Sequence, residues 1–191
     1  MPQLVDTHSH LYLKNFAEDL TEVTQRAVDV GVEHILLPNI DSSTTLALKE
    51  TCNSNPIFKP MMGLHPCSVK PETYKEELAH VKAELDSGYR STHAQPYVAV
   101  GEIGIDLYWD KSTLDIQVEA FEQQMEWAKE MNLPVAIHCR DSFDEIFASV
   151  ENVQDGTLQG VLHCFTGNEA QAKRCIKLGL HLGLGGVLTF K

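Results

Sequence analysis

Histidines recur in this sequence where short apolar segments give way to polar residues. The first two form a His-x-His pair, His8 and His10, shortly after Leu4 and Val5. Side chains two residues apart in an extended backbone project to the same side, so both imidazoles can reach one cation. The pair therefore predicts a chelating site, although two imidazoles near a chain start are also found as solvated side chains.

Further ligand-type side chains follow later apolar segments. They are His65 in Gly-Leu-His-Pro, Glu102 and Asp106 in Gly-Glu-Ile-Gly-Ile-Asp, His138 in Val-Ala-Ile-His-Cys-Arg, and His163 in Gly-Val-Leu-His-Cys. One histidine at a strand end is usually a hydrogen-bonded core residue. Several in register with a glutamate predict a shared site for divalent cations, with Zn²⁺ or Mn²⁺ favoured by imidazole and Mg²⁺ by oxygen ligands.

Glu102 carries two carboxylate oxygens, so it could bridge two cations. One cation of such a pair lowers the pKa of a shared water to about 7, and both stabilise the charge that develops in an in-line displacement. This chemistry suits the hydrolysis of a phosphodiester or a similarly resistant ester.

Apolar periodicity predicts the elements that would position these side chains. After a first strand at the chain start, strands are predicted over 34–39, 58–63, 97–101, 135–138, 160–163 and 181–185, and helices over 16–30, 42–53, 72–86, 114–131, 142–151 and 169–178. This alternation predicts an α/β fold with a parallel sheet, either open or closed into a barrel. In parallel barrels, functional groups lie at the carboxyl ends of the strands.

Composition and charge limit the class of protein. The 191 residues, 43% hydrophobic and 22% charged, fit one globular domain over 1–191. No apolar run of membrane-spanning length and no secretory signal is found, which predicts a cytoplasmic protein without membrane contact. The net charge of −12 argues against holding duplex DNA through many phosphate contacts, so a polyanionic substrate would need bound cations to attract it locally.

The five cysteines show no Cys-x-x-Cys spacing, which predicts reduced thiols rather than disulfides or a thiolate zinc site. Cys139 and Cys164 each follow a candidate ligand by one residue. Extended backbone would point them to the opposite face, so we expect them to pack rather than to bind metal.

Five motifs in order resemble the TatD-related metal-dependent deoxyribonucleases, a branch of the amidohydrolase superfamily. They are Val-Asp-Thr-His-Ser-His, Gly-Leu-His-Pro, Gly-Glu-Ile-Gly-Ile-Asp, Leu-Pro-Val-Ala-Ile-His-Cys-Arg and His-Cys-Phe-Thr-Gly. The resemblance implies a TIM (β/α)8-type barrel that hydrolyses DNA, single-stranded or at its ends. It implies one metal on His8, His10 and Glu102, and a second on Glu102, His138 and His163. It also implies His65 and Arg140 near the substrate phosphate, and Asp106 beside the ligands or on the rim.

The sequence departs from the family at its end. The family completes the first metal site with an aspartate in a Thr-Asp-Ala-Pro-Tyr-Leu type motif, which 1–191 does not contain. An eight-stranded barrel typically needs about 250 residues. We therefore expect a barrel truncated after the seventh strand, with weakened metal binding and little or no activity unless the missing part is supplied.

Several residues have alternative interpretations. Arg140 could pair with Asp141 instead of phosphate, and Tyr108 and Trp109 could stack a nucleobase or form a lid. The remaining histidines are expected on the surface, away from the chemistry: His34, His80, His93 and His181.

Two other functions compete with nuclease activity. One is hydrolysis of a small-molecule amide, lactone or phosphoester, which the acidic charge favours and which barrels of this kind also support. The other is metal binding without turnover, which the absent aspartate motif favours.

Overall fold

A computed structural model describes residues 4–88 and 96–190. Within these residues, parallel strands form a single sheet in chain order. They are β1 (Leu4–Asp6), β2 (Val32–Pro38), β3 (Phe58–Met62), β4 (Ala99–Asp106), β5 (Val135–Arg140), β6 (Gly160–Leu162) and β7 (Leu180–Leu182). Every neighbouring pair is parallel, which confirms the predicted sheet.

A helix follows each strand from β1 to β6. The helices are α1 (Leu20–Asp29), α2 (Thr45–Ser54), α3 (Tyr74–Ser87), α4 (Leu114–Glu130), α5 (Phe143–Val153) and α6 (Glu169–Lys177), with 3-10 turns at Lys14–Phe16, Pro66–Ser68 and Gly186–Thr189. The alternation confirms the predicted α/β fold. None of the helices in the described part of the chain is long and apolar enough to span a membrane.

The sheet is curled into an open half-barrel with apolar side chains on both faces. Leu37, Phe121 and Ile137 belong to the large core between the sheet and the helices. A second, small cluster on the inner face consists of Met61, Ala99 and Ala136. The same inner residues share a cavity with side chains of both end strands, Val5 of β1 and Leu182 of β7. The first and last strands therefore face one lumen.

Two predicted element ends, the end of β4 and the start of α1, differ most from the structure. β4 extends to Asp106 instead of ending at Gly101, so Glu102 lies inside the strand rather than after it. All eight residues of β4 are buried, and packing on both faces keeps the chain extended through two glycines that predict a break. The first helix begins at Leu20, because Lys14–Phe16 forms a separate 3-10 turn.

Three of the histidines expected on the surface fall in the described ranges. His34 and His181 are exposed, as predicted. The prediction for His80 is wrong: this side chain is half-buried on α3, and its Nε2 lies 2.9 Å from the hydroxyl of Thr45 on α2. His93 lies outside the described residues.

Candidate metal centre

Glu102 lies at the centre of a cluster of imidazoles. It is only 2% exposed, and its two oxygens face different histidines. Oε2 lies 3.1 Å from Nε2 of His8 and 3.2 Å from Nε2 of His10. Oε1 lies 2.8 Å from Nδ1 of His138 and 2.7 Å from Nε2 of His163. The structure thus brings together all five side chains that the sequence proposed as ligands, one pair on each oxygen.

The backbone around Glu102 is fixed by Asn39, a buried residue at the end of β2. The Asn39 carbonyl accepts a hydrogen bond from the Glu102 amide at 3.2 Å, and its side-chain amide donates to the Gly63 carbonyl at 3.0 Å. One side chain and its backbone therefore link β2, β3 and β4 at the level of the site. Asn39 was not among the residues predicted from the sequence, although an amide that directly follows a buried strand is a signal for such a link.

The two first histidines follow β1 rather than lying within it. The Ser9 amide between them donates to the Leu36 carbonyl at 3.0 Å, so this stretch stays alongside β2. His8 also stacks on His163, with ring centroids 3.8 Å apart and an interplanar angle of 6°. Residues that follow β1, at one edge of the sheet, and β6, one strand in from the other edge, therefore meet at Glu102.

Burial and hydrogen bonding have opposite effects on the pKa of the Glu102 carboxyl group. Burial alone would raise its pKa, but hydrogen bonds from the surrounding histidines, His10, His138, His163 and His65, outweigh burial and hold the pKa well below its ordinary value. The carboxylate is therefore charged and ready to act as a ligand.

For His8, burial dominates and lowers the pKa, despite the opposing attraction of Glu102. Its Nδ1 is buried without a hydrogen-bond partner among the described residues. A neutral imidazole is the form that binds a cation.

Asp106 contacts the side of the His138 ring that points away from Glu102. Its Oδ2 lies 2.9 Å from Nε2 of His138, and its Oδ1 accepts the backbone amides of Tyr108 and Trp109 at 3.0 and 3.3 Å. Burial would raise the pKa of Asp106, but the His138 hydrogen bond and the two amides lower it. The carboxylate is 2% exposed and both oxygens are used inside the protein. Both oxygens of Asp106 are therefore occupied by protein groups, one of which is Nε2 of His138.

His65 differs from the other histidines because its Nδ1 accepts a hydrogen bond from the Cys67 amide at 3.1 Å. In a neutral ring that accepts at Nδ1, the proton sits on Nε2. Nε2 of His65 lies 3.6 Å from Oε1 of Glu102, close enough for His65, Glu102 and His138 to form a second possible ligand group. A protonated Nε2 cannot bind a cation, so the hydrogen bond from Cys67 favours His65 as a donor.

Arg140 is exposed at the end of β5 and covers an aromatic side chain. Its guanidinium carbon lies 3.9 Å from the ring centroid of Tyr108 and 5.5 Å from that of Trp109. Over the described ranges it makes no ion pair with Asp141. Arg140 therefore has its charged end free to meet an anion at the rim of the site.

The two cysteines next to ligand histidines lie outside the ligand groups in the described part of the chain. Cys139 packs against the core, with its Sγ 3.7 Å from the Ser142 hydroxyl, and burial raises the pKa of its thiol to about 11. Cys164 is half-buried beside Gly185. Packing rather than ligation is the role predicted for both.

The donor set fits divalent cations. Four imidazole nitrogens and one shared carboxylate suit Zn²⁺ or Mn²⁺, and the ligand atoms of His8, His10 and Glu102 lie within 4.8 Å of one another. The carboxylate presents one oxygen to each of two histidine pairs.

The chain is similar in sequence to known metal-dependent hydrolases. The TatD related DNase family matches residues 5–191. An uncharacterized metal-dependent hydrolase of Bacillus subtilis, YabD, is 38% identical over 188 residues, covering 98% of this chain and 71% of that protein. A Shigella flexneri protein named 3'-5' ssDNA/RNA exonuclease TatD is 29% identical over 184 residues, covering 96% of this chain and 67% of that protein.

A solved structure shares the fold. The crystal structure of YjjV, a TatD homologue from Escherichia coli K12, superposes with a TM-score of 0.84 at 28% identity, over 98% of this chain and 70% of that one. The half-barrel described here therefore corresponds to the larger part of a TatD barrel. With its sequence match, its fold and its histidine cluster all in agreement, the chain belongs to the TatD-related family of metal-dependent hydrolases.

Proposed function

We propose that this site hydrolyses phosphodiester bonds in single-stranded nucleic acid with the help of two divalent cations. The observation that carries the proposal is the single carboxylate of Glu102 with a separate histidine pair on each oxygen. A shared carboxylate of this kind suits a two-cation site, the arrangement used for in-line displacement at phosphorus.

Each side chain of the site has a proposed role. His8, His10 and Glu102 would hold one cation, and Glu102, His138 and His163 the other, as the resemblance implied. Such cations, when bound, activate water and stabilise negative charge on phosphate. The Nε2 proton of His65 would donate to a phosphate oxygen, which matches its fixed Nδ1 acceptor. Asp106 would keep Nδ1 of His138 directed at Glu102 by holding Nε2.

The rim of the site supports a nucleic-acid substrate. Trp109 is 69% and Tyr108 is 54% exposed, and their rings lie perpendicular with centroids 4.8 Å apart. Their backbone amides are held by Asp106, which also contacts His138, so this aromatic pair is tied directly to the ligands. Exposed aromatic rings can stack on nucleobases of any sequence, and an arginine beside them can bind phosphate. A relative of this chain carries the name of an exonuclease acting on single-stranded DNA and RNA.

Arg140 provides a test of the phosphate contact. Replacing it with alanine should weaken binding of a single-stranded oligonucleotide by at least about tenfold, because a charge-assisted hydrogen bond contributes about 1.5–3 kcal/mol. Cation content should stay unchanged, because Arg140 contacts no ligand of the proposed cations. Fluorescence anisotropy measures the affinity.

Arg174→Ala is the matched control for this variant. Arg174 is also an exposed arginine over an aromatic ring, with its guanidinium carbon 4.9 Å from the centroid of Phe147, but it pairs with Glu151 on α5. The Arg174→Ala substitution therefore removes the same charge at a position away from the site. If the two variants bind the oligonucleotide with equal affinity, Arg140 does not contact the phosphate and its role is structural.

The function itself is tested by comparing substrates. With Mn²⁺, Mg²⁺ or Zn²⁺ added, we expect hydrolysis of single-stranded DNA or RNA, slowed by the absence of the Thr-Asp-Ala-Pro-Tyr-Leu type motif from 1–191, and no hydrolysis of lactones, cyclic amides or phosphotriesters. Turnover of a small ester or amide alone would favour the alternative hydrolase, which the net charge of −12 also supports. Full cation occupancy with no turnover of any substrate would favour a binding domain, and either result contradicts the proposal.

The proposed location is the cytoplasm. All five cysteines are free, including the buried Cys52 and Cys175, and reduced thiols persist in a reducing compartment.

A further inference from the structure

Tyr12, two residues after His10, occupies the side of the His10 ring that faces away from Glu102. Its hydroxyl lies 2.8 Å from Nδ1 of His10 and 2.7 Å from the carbonyl oxygen of Pro38. Tyr12 is 8% exposed, so both contacts are sheltered from water. Tyr12 was not among the residues predicted from the sequence, although it continues the i, i+2 spacing of His8 and His10.

The direction of these two hydrogen bonds is fixed by the chemistry of the groups. A carbonyl oxygen can only accept, so the single hydroxyl proton of Tyr12 is donated to Pro38. The hydroxyl oxygen can then only accept from His10, which requires the proton on Nδ1 of the imidazole. A His10 ring that carries both protons donates its Nε2–H to Oε2 of Glu102 at 3.2 Å, and a neutral ring that keeps the Nδ1 proton has its lone pair on Nε2.

We propose that Tyr12 is a positioning residue that holds His10 in the tautomer whose Nε2 is free to bind a divalent cation beside Glu102. The inference rests on the proposed cation site and adds to it the group that prepares one ligand. Ligand histidines usually donate their second ring nitrogen to a carboxylate, carbonyl or water, and here a tyrosine hydroxyl takes that place.

His65 shows that the cluster uses backbone-anchored partners to choose tautomers. At His65 the Cys67 amide donates to Nδ1, which places the proton on Nε2, the opposite arrangement to His10. Both Nε2 atoms face Glu102, at 3.6 and 3.2 Å, yet only that of His10 has its lone pair available. The partner on the far side of each ring therefore favours His10 as a cation ligand and His65 as a hydrogen-bond donor.

The tautomer can be read without any cation. In ¹⁵N-labelled apo protein at a pH where imidazoles are neutral, about pH 9, we expect the His10 resonances to show a protonated Nδ1 and an unprotonated Nε2. His10→Asn assigns the signals by their loss. In Tyr12→Phe, which removes only the hydroxyl, both tautomers should be populated.

The same variant should weaken cation binding. Removal of such an outer partner typically costs 10–100-fold in metal affinity, so calorimetric titration with Zn²⁺ or Mn²⁺ should show a loss of at least about tenfold at the His10 position. Tyr74→Phe is the matched control, because Tyr74 is equally buried and its hydroxyl donates to Glu119 between α3 and α4, away from the site.

The outcomes separate this inference from the proposed function. A protonated Nε2 in the wild-type apo protein, or a Tyr12→Phe variant with unchanged tautomer and unchanged affinity, would overturn the role of Tyr12. A wild-type protein that binds no divalent cation would overturn the proposed function, while the apo tautomer measurement would still decide whether Tyr12 fixes the ring.

Discussion

Replacing Glu102 with alanine is expected to remove both cations together. Each carboxylate oxygen faces its own histidine pair, so loss of the one side chain removes a ligand from both positions. The affinity at each position should fall by more than the roughly 100-fold that loss of an outer hydrogen-bond partner costs. Elemental analysis of the dialysed protein measures the cation content, and hydrolysis should be abolished with it.

The His163→Ala variant tests the loss of a ligand to one cation, for comparison with the loss of Glu102, the ligand proposed to be shared by both. His163 faces only Oε1 of Glu102, whereas His8 and His10 face Oε2. We expect this variant to lose one cation and to keep the other. Glu102→Gln, which preserves side-chain shape, guards against an effect of misfolding. Loss of a single cation from both Glu102 variants would argue against a bridging carboxylate.

A second large effect is expected at Gly104, which pairs with His138 where β4 meets β5. A Cβ atom added here would lie 2.1 Å from the backbone oxygen of His138, and the residue has a φ of +143°. The three nearest atoms are all backbone atoms of His138, so the clash cannot be relieved by moving a flexible side chain. Overpacking and a strained backbone each cost about 1–3 kcal/mol, so Gly104→Ala should lower the free energy of unfolding by at least about 2 kcal/mol.

The matched control for this substitution is Gly88→Ala at the end of α3. Gly88 also has a positive φ, of +53°, but nothing lies within 4 Å of an added Cβ. The free energy of unfolding of the Gly88→Ala variant should fall only by the cost of placing alanine in left-handed backbone, about 1–2 kcal/mol. Urea denaturation gives both values, and equal destabilisation by the two substitutions would show that β4 and β5 are not packed as described.

Much of the fold could be predicted because apolar periodicity reflects burial directly. α4 illustrates this: the predicted span of 114–131 differs from the observed helix, Leu114–Glu130, by one residue. The prediction for β4 stopped too early because Gly101 and Gly104 are poor strand formers. Their places in the sheet depend on close contact with β5, at Ala136 and His138, which is not visible in local sequence.

The candidate site was accessible from sequence only in part. The position of each histidine after an apolar segment indicated a common rim, since parallel strands end at the same edge of a sheet. The sequence could not show that the two oxygens of Glu102 face different histidine pairs, because that depends on side-chain rotamers. Tyr12 and Asn39 had only indirect signals in the sequence, because their roles arise from hydrogen bonds to the backbone of Pro38 and Gly63.

The acidic charge of the chain is compatible with a nucleic-acid substrate if the negative potential is concentrated where cations bind. Glu102 and Asp106 are both buried and charged, and both contact His138. Bound divalent cations would reverse the sign of the local field at the rim, where Arg140 is already exposed. Oligonucleotide affinity should therefore require added cation.

Anomalous diffraction from crystals soaked in Mn²⁺ or Zn²⁺ tests the central claim most directly. We expect two peaks that share Glu102, one contacting His8 and His10 and the other contacting His138 and His163, roughly 3.5–4 Å apart as in other two-cation hydrolases. Peaks that avoid Glu102, or no peak at the histidine cluster under saturating cation, would contradict the account.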